Sequence, residues 1–334
     1  MQTQERLSRY RDELKGFAIL WIVLFHAKLV KFGFLYELTK IGYGGVDIFM
    51  LIAGFGLYRS LAKSAELGGY MKRRAARLLP SYLPFCALWL CVTLPSVGLT
   101  RVQALRTILG NLTMTNLFAG VPEQISWYMC LLLLSILLAP FIYACLNKAK
   151  KPLLCAGIWA LLTLCVSVCF WGSRDTMLYS RLPIFIIGML LAVPVTREMN
   201  GKARAALGFA SFAVGLAVLY LSFAKFPVYL NDCGLYWYPF ILVTPPLCAG
   251  LAWLFQKASK AAKWFAPLRY LGKASFEIFL FNCWAEVLIM RVGLANSQKY
   301  RLLFMLASVL AGCLYHYAVT AITAKARKRE QVSA

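Results

Sequence analysis

The chain has 334 residues, of which 61% are hydrophobic and only 15% are charged, and its mean hydropathy is +0.67. A water-soluble domain of this length has an apolar share nearer one half, so these values exclude a soluble globular fold. The formal net charge of +23 does not indicate a nucleic-acid partner. The Lys and Arg residues lie in the short connections between apolar runs, where membrane topology places them.

Apolar runs of about 18 to 22 residues repeat along the chain, the length that crosses the hydrocarbon core of a bilayer. We predict an all-α, polytopic membrane helix bundle that forms a single domain over 1–334, since no long polar tract remains. The ten predicted spans are 16–33, 43–62, 80–97, 124–146, 152–171, 181–196, 205–224, 236–256, 270–290 and 302–323. Segment 98–123 is less apolar and is predicted to lie in the outer interface.

The basic residues favour one orientation of this bundle. Most of the 36 Lys and Arg residues lie in the N-terminal segment 1–15, in every second connection and in the tail 324–334. The positive-inside rule then predicts that both termini are cytoplasmic, in a multi-pass protein of the cytoplasmic membrane with bound membrane lipids. An oligomer is compatible with the sequence but is not indicated by it.

The eleven Cys residues do not predict a metal site. Nearly all of them lie inside apolar runs, and there is neither a Cys-x-x-Cys motif nor a mixed Cys/His cluster. This pattern is typical of small buried side chains, so we expect no zinc and no redox centre.

Two ionisable side chains are predicted at similar depth in the first two spans. His26 lies about 10 Å, seven residues, from the outer end of span 1, and Asp47 lies about four residues into span 2 from the same side. An ionisable group inside a bilayer costs about 2.5 to 3.5 kcal/mol, so it is usually paired or functional. A carboxylate beside an imidazole makes His26 a candidate general base. The same pair is equally compatible with a structural hydrogen bond between the two helices.

Basic residues at the predicted cytoplasmic rim share faces with this pair. Lys15 precedes His26 by eleven residues, nearly three turns, so the two face the same way about 16 Å apart. Arg74 and Arg77 are three residues apart before span 3, where Pro80 is predicted to mark the start of the helix. Paired guanidinium groups suit phosphates, which belong either to lipid head groups or to a phosphate-bearing cofactor.

Six segments, in order, resemble motifs of the acyltransferase 3 family of bacterial integral membrane proteins. Each is weak alone, and together they cover about 11 to 282. They are the basic-x10-His pair at 15–26, GGVDIFMLIAGF at 44–55, RAARLLPSY at 74–82, SWYM at 126–129, RLPIFIIGM at 181–189 and LGKASFEIFL at 271–280. The chain departs from the family at Ala53, usually Ser, and at Asn282, often a second His.

The resemblance implies transfer of an acyl group, often acetyl, from cytoplasmic acyl-coenzyme A to a hydroxyl on an extracytoplasmic carbohydrate or lipid. It implies catalytic roles for His26 and Asp47, with Lys15, Arg74 and Arg77 near the coenzyme phosphates. His26 would either deprotonate the acceptor hydroxyl or be transiently acylated.

Further polar residues are candidates for binding the acceptor. Arg181 lies near the outer start of span 6, where it is either an acceptor-binding residue or an interface anchor. Glu277, Asn282 and Glu286 lie on span 9 and either line an acceptor pocket or satisfy one another. His316, in span 10, is predicted to be a packed, hydrogen-bonded core residue.

Two other classes of membrane protein remain compatible with the residues. Buried acids and a His inside ten spans also suit a proton-coupled transporter or a flippase of a polar or glycan substrate. Such a carrier is expected to show paired repeats with broken helices, and the polar signatures instead crowd into spans 1 to 3. A structural or sensory subunit would not need the His26–Asp47 pair.

Overall fold

The computed structural model describes residues 3–30, 33–64, 66–173, 175–194, 200–226 and 234–333. Within these residues the protein is helical and has no β-strand. The helices of the first half are α1 (Thr3–Arg9), α2 (Arg11–Ala27), α3 (Phe34–Thr39), α4 (Gly45–Lys63), α5 (Leu67–Thr93), α6 (Arg101–Leu112) and α7 (Trp127–Lys148). The helices of the second half are α8 (Pro152–Cys169), α9 (Thr176–Tyr179), α10 (Leu182–Ala192), α11 (Gly201–Lys225), α12 (Phe240–Lys257), α13 (Ala266–Lys273), α14 (Ser275–Arg291) and α15 (Gln298–Ser333).

Each predicted span overlaps one of these helices. In the described part of the chain, seven helical segments are long and apolar enough to cross a membrane: 36–63, 67–96, 127–148, 152–169, 201–225, 240–257 and 298–325. The other three predicted spans fall on α2, α10 and α14, which have 17, 11 and 17 residues. The count of ten spans and the orientation of the termini therefore stay predictions. Positions 31–32 and 195–196 of the predicted spans lie outside the described residues.

Helix α4 lies at the centre of the bundle. The membrane-spanning segment that contains it is 78% buried, whereas those of α8, α11 and α15 are 17% buried. Gly54 of α4 and Gly188 of α10 make this packing close, because a Cβ at either position would collide with a backbone carbonyl of the other helix. Small residues allow two helix backbones to approach in this way inside a membrane. Helix α4 is thereby fixed against α10.

Helix α2 is held in the same manner by α13. A Cβ on Gly16 would meet the carbonyl of Leu268, and one on Gly272 would meet the carbonyl of Asp12. The carboxylate of Glu13, which is 1% exposed, also accepts from Nε of Arg269 at 2.8 Å. These contacts set the position of α2 and of the side chains along it.

The start of α5 corrects the expectation for Pro80. The helix begins at Leu67, thirteen residues earlier, and continues through Pro80 and Pro84. Proline is tolerated inside membrane helices because neighbouring groups satisfy the freed backbone carbonyls. Arg74 and Arg77 consequently lie on the early turns of a long helix rather than on a connection before it.

The segment between α5 and α7 contains one short helix. Helix α6 begins with a capping box in which Thr100 and Gln103 exchange hydrogen bonds. Val102, Leu105 and Leu109 are each more than half exposed. With 12 residues the helix is too short to cross a bilayer. An exposed apolar face on a short helix is typical of an interfacial position.

Candidate active site

A large cavity opens between α2, α4, α5 and α14 at the end of the bundle where α2 begins. Its volume is about 770 Å³. We call it the basic cavity, because eight Lys and Arg residues line it: Arg11, Lys15, Arg59, Lys63, Arg73, Arg74, Arg77 and Lys273. Glu277 is the one carboxylate among its described lining residues. Such an excess of positive charge attracts polyanionic ligands.

One of these cations, Arg74, keeps a free donor. Arg74 donates from Nη2 to Ser60 Oγ at 3.0 Å, but its buried Nε has no hydrogen-bond partner among the described residues. Lys15 pairs with Asp12 at 2.8 Å. Buried donors without partners are costly, so the free Nε of Arg74 is best satisfied by an acceptor that enters the cavity.

The wall of the basic cavity becomes apolar with depth. Along α4 the lining runs from Lys63 and Arg59 to Ala53 and Phe49. The fourteen residues from Lys63 to Phe49 correspond to a rise of about 21 Å. Apolar side chains of α5, α7 and α14 face this inner part as well. The cavity is thus a long shaft with a cationic mouth.

His26 is bound by Asn282 rather than by a carboxylate. Nδ1 of the imidazole forms a hydrogen bond with Oδ1 of Asn282. The amide nitrogen of Asn282 is used elsewhere, since Nδ2 donates to Met305 Sδ at 3.0 Å and to Ser308 Oγ at 3.3 Å. An amide oxygen only accepts, so in this arrangement the proton of a neutral His26 lies on Nδ1. Nε2 is then left with its lone pair, as a base or a nucleophile requires.

Arg301 fixes the backbone next to this imidazole. Its Nη1 donates to the carbonyl of His26 at 3.0 Å and to both carboxylate oxygens of Glu286 at 3.0 and 3.1 Å. Its Nε donates to the carbonyl of Ala295 at 2.6 Å. The side chain of Arg301 is 7% exposed. One guanidinium thus joins the ends of α2 and α14 to the beginning of α15.

Asp47 pairs with Arg181. Asp47 Oδ2 lies 4.0 Å from Arg181 Nε, and neither atom has a hydrogen-bond partner among the described residues. The guanidinium also lies between the rings of Trp127 and Trp237, 4.9 and 5.1 Å from their centroids. Arg181 is only 1% exposed. The aromatic faces and the carboxylate together compensate this buried cation.

The expected contact between His26 and Asp47 is therefore wrong. Each residue has a different partner, on α14 and just before α10 respectively. Gly45, two residues before Asp47, packs against Ala18 and Ile22 of α2, so the two helices do meet near His26. The two side chains do not lie at the same depth: α2 ends at Ala27, one residue after His26, whereas Asp47 lies beyond Gly45, which already packs against Ala18 and Ile22.

The inner end of the basic cavity approaches both pairs. Phe49 and Phe279 line the cavity. Phe49 lies two residues from Asp47 and Phe279 three from Asn282, which are rises of about 3 and 4.5 Å along their helices. Lys15, Arg74 and Arg77 are brought together at the mouth of the cavity. The three predicted cations thus line the cavity, whereas His26, Asp47, Arg181 and Asn282 lie outside its described lining.

Glu277 and His316 occupy the wall between these ends. Glu277 Oε2 lies 3.2 Å from His316 Nδ1, and Ser81 donates to Glu277 Oε1 at 2.6 Å. The side chain of His316 is 22% exposed, and both residues line the basic cavity. His316 is therefore a cavity residue rather than a packed core residue. Glu277 lines the basic cavity, whereas Arg181, which was expected to bind an acceptor with it, is not in the described lining and pairs with Asp47.

The fold and the site define a helical, membrane-type protein with an internal cavity lined by eight Lys and Arg residues and a partly buried His26 held by Asn282. The family model for the acyltransferase 3 type of acyltransferase domain matches residues 10–318. The chain belongs to this family, and the protein is an acyltransferase. A search of curated proteins and a search of solved structures found no significant match. Among the described residues, no group of three or more His, Cys, Asp or Glu side chains could hold a metal ion.

Proposed function

We propose that this membrane acyltransferase moves an acyl group, of acetyl size, from cytoplasmic acyl-coenzyme A to a hydroxyl of an extracytoplasmic carbohydrate or lipid-linked glycan. The donor enters through the basic cavity, and the acceptor reaches His26 from the opposite side. The observation that carries this proposal is the shaft that runs from eight basic residues towards the level of the His26–Asn282 pair.

The layout of the basic cavity suits the donor. Acyl-coenzyme A has its phosphates at one end and, at the other, a slender pantetheine arm that ends in the thioester. Arg74, Arg77 and Lys15 hold the phosphates at the mouth. The apolar inner wall around Phe49 and Ala53 accepts the arm and the acyl group. Small side chains such as Ala53, where relatives usually have Ser, favour close passage of the arm.

The chemistry requires one base. The hydroxyl oxygen of the acceptor attacks the thioester carbonyl, the new ester bond forms and the carbon–sulfur bond breaks. Nε2 of His26 takes the hydroxyl proton and gives it to the thiolate that leaves as free coenzyme A. In the covalent route Nε2 attacks the thioester carbonyl and the thiolate leaves. The acceptor hydroxyl then attacks the acyl group, the carbon–nitrogen bond breaks, and the hydroxyl proton passes by way of the freed Nε2 to the thiolate. Asn282 keeps Nε2 free in both routes.

Asp47 and Arg181 support this site indirectly. Their pair ties α4 to the start of α10, and the rings of Trp127 and Trp237 seal it. We assign them the task of holding the acceptor side of the bundle in shape. Removing one partner leaves an unpaired buried charge, which costs several kcal/mol.

The test uses purified protein in lipid nanodiscs with acetyl-coenzyme A and native membrane glycans. Release of the free thiol and transfer of labelled acetate are measured for wild type, His26→Ala and His26→Gln. Wild type is expected to transfer label, while both variants bind the donor and do not transfer it. Full activity of His26→Ala would refute the assignment. Rapid quenching and mass spectrometry of wild type separate the two routes, because only the covalent route leaves acetyl on His26.

A further inference from the structure

The chain has two His residues, and the proposed chemistry uses only His26. The second, His316, lies on α15 beside Glu277, 39 positions earlier on α14. Glu277 is 6% exposed, and its two oxygens face Ser81 and His316 at 2.6 and 3.2 Å. Oε2 of Glu277 has no hydrogen-bond partner among the described residues despite this short distance, so it keeps the capacity to accept a hydrogen bond from a ligand.

This group interrupts an otherwise apolar part of the shaft. The lining passes from Lys273, the last residue of α13, through Ser275 and Glu277 to Phe279 of α14. Glu277 is thus four residues beyond Lys273 in the sequence, on the following helix. Nε2 of His316 has no hydrogen-bond partner among the described residues. A polar group in an apolar wall needs a polar partner in whatever fills the cavity.

The negative charge of Glu277 also determines which part of a ligand can lie beside it. A phosphate that moved inward from the cationic mouth would meet the carboxylate of Glu277 and be repelled. A neutral amide would not be repelled, and it both donates and accepts hydrogen bonds. The wall therefore favours a ligand whose phosphates stay at the mouth and whose next section is uncharged and rich in amides.

We propose that Glu277 and His316 form a binding site for the amide groups of the pantetheine arm of the donor, and thereby set how far the donor enters the shaft. This inference rests on the proposed function and goes beyond it by assigning both residues to the donor side. Nε2 of His316 and the free capacity of the Glu277 carboxylate bind the arm. The reacting thioester is then placed beyond Phe279, towards His26.

The experiment compares three thioester donors that differ in one part each. Acetyl-coenzyme A has phosphates and amides, S-acetylpantetheine has amides only, and the acetyl thioester of 2-mercaptoethanol has neither. The variants are His316→Gln and Glu277→Gln, with Arg77→Ala as the comparison at the mouth. Tyr317→Phe is the matched control, because Tyr317 is next to His316 and 71% exposed. Thermal unfolding shows which variants are folded.

We expect His316→Gln to raise KM about tenfold for both amide-containing donors, the equivalent of one to two hydrogen bonds. Its kcat and its rate with the mercaptoethanol thioester stay as in wild type. Glu277→Gln, which can still accept from Ser81, should raise KM for the same two donors. Arg77→Ala should raise KM for acetyl-coenzyme A alone.

An unchanged KM for S-acetylpantetheine in folded His316→Gln protein overturns the inference while leaving the acyltransferase proposal in place. A loss that appears in kcat at saturating donor overturns it too, because it would make His316 part of the chemistry. If wild type neither binds nor cleaves acetyl-coenzyme A, the proposed function itself fails. These outcomes are distinguishable in one data set.

Discussion

Replacing Asn282 with Leu tests how the active imidazole is held. Leu has a similar volume, so the change removes hydrogen bonds with little loss of packing. It leaves His26 Nδ1 and Ser308 Oγ without their partner at this position. Each lost bond at a buried site costs about 1 to 3 kcal/mol of stability, which a folded bundle can tolerate. The catalytic cost is larger.

Without Asn282, neither the tautomer nor the rotation of His26 is set. A misplacement of a reacting group by about 1 Å can lower a rate by about 10²-fold. We therefore expect Asn282→Leu to lower kcat about 10²-fold with an unchanged KM for acetyl-coenzyme A. Asn282→Asp should retain most of the activity, because a carboxylate accepts the same proton from Nδ1. Steady-state release of free thiol in nanodiscs gives both constants.

Folding is checked by size-exclusion profiles and thermal unfolding of the same samples. The reasoning is refuted if folded Asn282→Leu protein keeps more than a third of the wild-type kcat. It is equally refuted if Asn282→Asp and Asn282→Leu lose activity to the same extent, since the hydrogen-bond acceptor would then be irrelevant.

Three further predictions concern other parts of the molecule. Arg74→Ala should raise KM for acetyl-coenzyme A about tenfold at low salt. The increase should be smaller at 1 M salt, because salt screens ion pairs. The control Arg106→Ala, on α6, should leave kcat and KM unchanged. Arg301→Met should lower the free energy of unfolding by about 3 kcal/mol and should also lower kcat. Arg301→Lys should recover part of the stability and part of kcat, measured in the same thermal and kinetic assays. Gly188→Leu should destabilise the bundle by about 3 kcal/mol, measured as a lower thermal midpoint in detergent. The control Gly157→Leu should not destabilise it, because nothing lies within 4 Å of a Cβ added there.

The helices could be predicted because apolar length is a strong signal. All ten predicted spans overlap helices, and the basic residues of the 15–26 and 74–82 segments do line one cavity. The bounds were less predictable. Pro80 was expected at the start of a helix that begins at Leu67, because a proline that ends helices in water is tolerated within a membrane bundle.

Side-chain partners could not be predicted from depth. Sequence position gives depth to within about 1.5 Å per residue, but each residue also turns the side chain by about 100° around the axis. Depth was also misjudged, because α2 ends at Ala27, six residues before the predicted end of span 1. His26 therefore lies in the last turn of α2, whereas Asp47 lies further along α4, and the two contact different partners. Arg301 was missed because it lies in the first turn of α15, just before the predicted span. The need of Glu286 for a partner at membrane depth was the available signal.

The cationic mouth of the shaft has a consequence for the control of the enzyme in the cell. In the proposed function these Lys and Arg side chains bind phosphates that are identical in acyl-coenzyme A and in free coenzyme A, so their affinity does not distinguish the donor from the product. The rate of acyl transfer should accordingly follow the ratio of acyl-coenzyme A to free coenzyme A rather than the concentration of acyl-coenzyme A alone. The extent of acylation of the extracytoplasmic acceptor would then depend on the metabolic state of the cytoplasm.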